Sequence, residues 1–143
     1  MRISAQWSVT SLLICLVMGY GCEKNMERSS QPQWVQVPIA DLSSVEGKWD
    51  GLMRPVPHQR RDDWVTVTIA SNGRYQFSSL RTIGVFSGHG EFSVNEGKLQ
   101  SRSERGTVEA VLYEAGSQRM LKAKGRAADG TEYTAEVKPA KAR

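Results

Sequence analysis

Among the residues able to do chemistry, His58 and His89 stand 31 positions apart, and the only two cysteines are Cys15 and Cys22. A zinc site draws three or four ligands, usually with a close pair among them. Two isolated histidines supply neither, so no metal is expected. The chain has no Gly-x-Ser-x-Gly turn, no Cys/His motif and no recognisable carboxylate set, which argues against an enzyme. Its glycines punctuate strand-like stretches and none opens a helix, so no phosphate-cradling loop and no cofactor are expected. What remains is binding chemistry. In the charged loop Arg54 to Asp63, Arg60 and Arg61 carry guanidinium donors suited to an anionic group such as a lipid phosphate or a glycan acid. Asp62 and Asp63 stand beside them as competing partners.

Cys22 has a different setting. Arg2 leads into the apolar run Val9 to Met18, and Gly19, Tyr20 and Gly21 precede the cysteine. A helix needs about 20 apolar residues to cross a bilayer core, so this shorter run reads as the core of a secretory signal. Residues 1–22 resemble the signal and lipobox of bacterial lipoproteins, chiefly through Gly21 and Cys22. Gly19 and Tyr20 stand where such boxes usually carry leucine and a small residue. The resemblance implies cleavage before Cys22, attachment of diacylglycerol and palmitate to it, and a membrane partner through that lipid. Glu23 is not the aspartate associated with inner-membrane retention, so the expected location is the outer membrane, facing the periplasm. Cys15 would leave with the signal, and the single remaining thiol excludes an internal disulfide.

Arg2 is the only charged residue before Cys22, so 18 of the 19 Lys+Arg remain in the mature chain against 15 Asp+Glu, a formal charge of +3. The charges are mixed along the chain and form no basic stripe, so no nucleic-acid partner is expected. The expected organisation is a signal peptide over 1–21, an anchored flexible tether over 22–36 and one β-barrel domain over 37–143. The tether rests on the polar stretch Glu23 to Gln36, with Ser29, Ser30, Gln31, Pro32 and Gln33 at its centre. About 15 flexible residues span roughly 20 Å. Trp34 reads as the first packed residue.

From Val45 the pattern turns to period two. In Trp64-Val65-Thr66-Val67-Thr68-Ile69, Val65, Val67 and Ile69 share one face, as in a half-buried strand. Asn72-Gly73 follows, with the positive φ angles expected of a tight hairpin, and Arg74 to Ser78 resumes the alternation. Asn95-Glu96-Gly97, Ala115-Gly116 and Asp129-Gly130 repeat the punctuation. Strands are expected over 45–52, 64–70, 74–79, 89–94, 98–103, 106–113, 118–125 and 131–138, with a bend or bulge around Gly84 and Gly88. This is an all-β reading. A small antiparallel up-and-down β-barrel of about 7–8 strands hides its edges best, and a β-sandwich is the second choice.

Val45-Glu46-Gly47-Lys48-Trp49-Asp50-Gly51 resembles the Gly-x-Trp signature on the first strand of lipocalins and avidin-like barrels. The resemblance implies a tryptophan closing one barrel end. It also implies a carrier reading, in which Trp49, Tyr75, Phe77, Phe86, Phe92 and Tyr133 line a cavity for a small apolar or amphipathic ligand. The chain is shorter than a lipocalin and lacks its C-terminal helix and disulfide. About 95 residues in eight strands leave little interior beyond side chains. The preferred expectation is therefore a lipid-anchored, non-catalytic interaction or structural module with an envelope protein or glycan as partner.

Overall fold

The computed structural model describes residues 32–56, 62–81 and 84–141. The chain divides into two units, Met1–Ser30 and Gln31–Arg143, and the described residues lie in the second. It is almost entirely β. Strands β1 (Val35–Val37), β2 (Gly47–Val56), β3 (Asp63–Ile69), β4 (Arg74–Arg81) and β5 (Gly84–Glu91) lead to β6 (Ser93–Asn95), β7 (Lys98–Ser103), β8 (Gly106–Ala115), β9 (Gln118–Ala127) and β10 (Glu132–Pro139). A 3-10 turn, Leu42–Val45, precedes β2.

Nine strands follow the order β5-β4-β3-β2-β10-β9-β8-β7-β6, all antiparallel, and form a nearly closed barrel. β10 pairs with β2 across Val137 and Gly51, which joins the two ends of the meander. The seam falls instead between β5 and the β6–β7 hairpin. β1 lies off this path and pairs with β8 through Gln36 and Tyr113, so pairing starts at Val35, within the stretch read from sequence as tether.

Turn chemistry sets these hairpins. Ala70 and Arg74 close a three-residue loop in which Gly73 N–H donates to the Ala70 carbonyl at 2.8 Å. Only Gly73 takes a positive φ, +86°, and Asn72 does not. The expectation of two such residues is thus corrected: Asn72 instead accepts from Arg74 N–H through its side chain, at 3.1 Å. Asp129 and Gly130 repeat the design, with Thr131 N–H donating to Asp129 Oδ1 at 2.9 Å, and that bond holds the Asp129 carboxyl below its usual range. By contrast, Glu96 and Gly97 both have positive φ, as a two-residue turn between twisted strands requires.

Two strand expectations also change. The segment around Gly84 and Gly88 is neither bend nor bulge but a full strand, β5. The stretch 89–94, read as one strand, divides at Phe92 between β5 and β6.

Inward-facing positions build one core from Trp49, Val65, Ile69, Phe92, Leu99, Leu112, Leu121 and Val137, with Ile39 and Val45 from the segment before β2. Burying each large side chain contributes about 1.5–3 kcal/mol. One barrel end is capped by residues 38–46. Ile39 N–H donates to the Gly97 carbonyl at 2.8 Å. Asp41 caps the 3-10 turn, accepting from Ser43 Oγ at 2.6 Å and from Ser44 N–H at 2.9 Å. These bonds, the Ser43 hydroxyl first, hold its carboxyl below the usual range.

Candidate functional site

Alternation along β3 sends Val65, Val67 and Ile69 inward and leaves Trp64, Thr66 and Thr68 on the outer wall. Register then aligns their neighbours. Trp64 stands between Leu52 of β2 and Leu80 of β4. The next outward row is Asp50, Thr66, Ser78 and Ser87, and the one after it is Lys48, Thr68, Gln76 and His89. Cross-strand neighbours sit about 5 Å apart and successive outward rows about 7 Å apart. The wall is therefore a lattice of short polar side chains beside an apolar row.

An open groove of about 480 Å³ lies over this lattice, lined by Thr66, Ser78 and Ser87 and by Thr68, Gln76 and His89. Phe77, Gly88 and, from the β7–β8 turn, Arg105 complete it. The donors are hydroxyls, an amide, an imidazole and a guanidinium. Thr66 Oγ1 donates to Asp50 Oδ1 at 2.7 Å, which orients the hydroxyl and occupies one carboxylate oxygen. Beside the groove, Trp64 is 48% exposed, Leu80 62% and Leu52 37%. Large apolar side chains standing together on an outer wall commonly mark a contact surface.

Of the ligand-binding residues expected from sequence, Phe77 lines the groove and the other described ones fall elsewhere. Trp49 is 2% exposed under the end cap. Its indole N–H donates to the Val45 carbonyl at 2.9 Å, and the Arg119 guanidinium lies 5.7 Å from its ring centroid while donating to the Ser44 carbonyl. Tyr75 and Phe92 stack inside the barrel with centroids 4.2 Å apart. Phe77 is half-buried against the same core. A Cβ at Gly88 would come within 2.5 Å of the Phe77 ring, so that glycine is what lets the ring lie over β5. Tyr133 is half-buried at a register position between Pro55 and Gly125, away from the Tyr75–Phe92 pair. Trp34 is half-buried, with Lys138 Nζ 5.3 Å from its ring centroid. Cys22, His58, Arg60 and Arg61 lie outside the described residues.

His89, at the start of the strand expected over 89–94, is exposed late in β5, which begins at Gly84. Among the described residues, no three of His, Cys, Asp and Glu gather in a metal-holding cluster. Sequence reasoning passed over the lattice itself and Trp64. The available signal was Trp64 occupying the polar parity of an otherwise regular alternation. Compared with known proteins, the chain matches no family model, no curated protein and no solved structure.

Proposed function

We propose that this chain is a lipid-anchored protein of the cell envelope whose barrel is a non-catalytic interaction module working through its outer wall. The observation that carries the reading is the division of aromatic side chains. Trp49, Tyr75 and Phe92 are spent inside, on packing and on hydrogen bonds to their own barrel, whereas Trp64 stands out on the wall beside an open polar groove. A carrier needs its aromatics around a ligand within the barrel. A module that contacts a partner needs them outside.

The anchor rests on the Gly21-Cys22 pair behind an apolar run too short to span a bilayer. With Glu23 next in the chain, the membrane is the outer one and the barrel faces the periplasm. The wild-type protein is expected to incorporate labelled palmitate and sediment with membranes, whereas Cys22→Ser is expected in the soluble fraction. Membrane attachment of Cys22→Ser overturns the anchor. A stoichiometric small apolar molecule, seen by native mass spectrometry of the membrane-purified protein and lost on denaturation, overturns the outer-wall reading in favour of the carrier.

A further inference from the structure

The outer wall carries two features that converge on one kind of occupant. The first is the apolar row Leu52, Trp64 and Leu80, with an indole at its centre. A sugar ring has the matching property of one face made of C–H groups, which packs on an aromatic surface while its hydroxyls stay at the edge. The second is the adjoining lattice, whose threonine and serine hydroxyls and Gln76 amide both donate and accept. Hydroxyl groups on a ligand demand that mixture. A lipid surface would use the apolar row and leave the lattice idle.

Charge narrows the class. Arg105 and His89 are the ionisable side chains lining the groove, and no carboxylate joins them there among the described residues. Asp50, the cross-strand neighbour of Thr66, accepts from its hydroxyl, and Glu104 precedes Arg105 in the chain. Lys48 stands one register position beyond Thr68, and Arg74 and Glu91 pair in the row past His89. A carboxylate on the ligand would find a planar bidentate partner in Arg105. The groove is open, and its Thr66 and Ser78 stand in the outward row next to Trp64 and Leu80, which suits several linked rings better than a single sugar.

We propose that the β3–β5 wall, from Trp64 across the lattice to Arg105, is a binding site for an acidic polysaccharide chain. The proposal rests on the outer wall as the working surface and is independent of the lipid at Cys22. It is tested with the full-length protein in mild detergent, sedimented with insoluble peptidoglycan sacculi as an acidic glycan polymer. The wild type is expected to co-sediment, and soluble glycan fragments released from the sacculi by a muramidase are expected to compete weakly.

Trp64→Ala is expected to weaken binding about tenfold, as is Trp64→Leu, which keeps apolar area but loses the flat ring, while Trp64→Tyr retains most of it. Arg105→Gln is expected to weaken binding to sacculi about tenfold while sparing any binding to neutral chitin. Trp64 is exposed, and unchanged circular dichroism checks that these variants fold. Three results overturn the proposal: no co-sedimentation, co-sedimentation insensitive to Trp64→Ala, or short fragments competing as well as the polymer. Binding only to anionic phospholipid vesicles, retained by Trp64→Leu, overturns the glycan but leaves the outer-wall reading standing. A Trp64→Ala variant indistinguishable from wild type against sacculi, vesicles and envelope cross-linking partners removes both.

Discussion

At the residue scale the clearest division is between Trp49, legible from Gly-x-Trp as an end-closing residue, and the groups that hold it. The Val45 carbonyl reaches the indole from the 3-10 turn four residues earlier, whereas Arg119 reaches it from β9, with β10 between the two strands in the sheet, and no local pattern announces that second contact. Asp41 anchors the same cap. Its carboxyl is held low by the Ser43 hydroxyl and then the Ser44 N–H, so its contribution is complete above the ordinary carboxylate range and is lost as pH falls through the lowered folded value. Asp41→Ala should therefore be less stable than wild type in urea at neutral pH, with the gap closing as pH falls below the ordinary carboxylate range. A gap that is constant with pH would contradict this. Ser79 poses the opposite case. It is fully buried, and its hydroxyl meets no partner among the described residues. A buried, unpaired hydroxyl costs free energy. Ser79→Ala is expected to raise stability by about 1 kcal/mol, seen as a higher urea midpoint at unchanged slope.

At the scale of elements, the hairpins were readable because Asn-Gly, Glu-Gly and Asp-Gly steps dictate backbone conformation within a few residues. β5 was not readable, and its physical reason lies in its neighbour. Glycines at 88 and 90 depress strand propensity, yet they face Phe77 and Tyr75 of β4, whose rings occupy the volume that β5 side chains would need. A Cβ on Gly90 would stand 2.6 Å from Tyr75 Oη. Gly90→Ala is expected to displace that ring and cost about 1–3 kcal/mol, with a weakened near-ultraviolet signal from the Tyr75–Phe92 stack. Unchanged stability and spectrum would show that the ring does not need the glycine. The outer lattice was half legible for a related reason. Alternation shows that Thr66, Thr68, Gln76 and Ser78 face water, but only register brings them into rows with Ser87 and His89.

Across the whole molecule, the pairing of β10 with β2 makes the barrel continuous where the meander begins and ends, so the weak point moves to the interior of the chain. Among the described strands β5 ladders with β4 alone, whereas β2, β9 and β10 each ladder on both sides. Across the seam, Tyr75 Oη donates to Ser101 Oγ at 3.4 Å, tying β4 to β7 over the Gly90 backbone. Local opening starts where backbone bonds are fewest. Amide exchange is therefore expected to be faster in β5 than in β9. Tyr75→Phe, which removes the tie and keeps the ring, should speed β5 exchange and cost about 0.5–1.5 kcal/mol overall. The seam strand also carries Ser87 and His89, which line the groove. A ligand that bridges β3, β4 and β5 binds the closed wall in preference to the open one and must stabilise it by mass action. Saturating acidic glycan should slow exchange in β5 through its local openings, with β9 amides slowed only where they exchange by global unfolding. Slowing in β9 without slowing in β5 would place the ligand elsewhere on the barrel. No slowing in a protein that demonstrably binds would separate the groove from the seam.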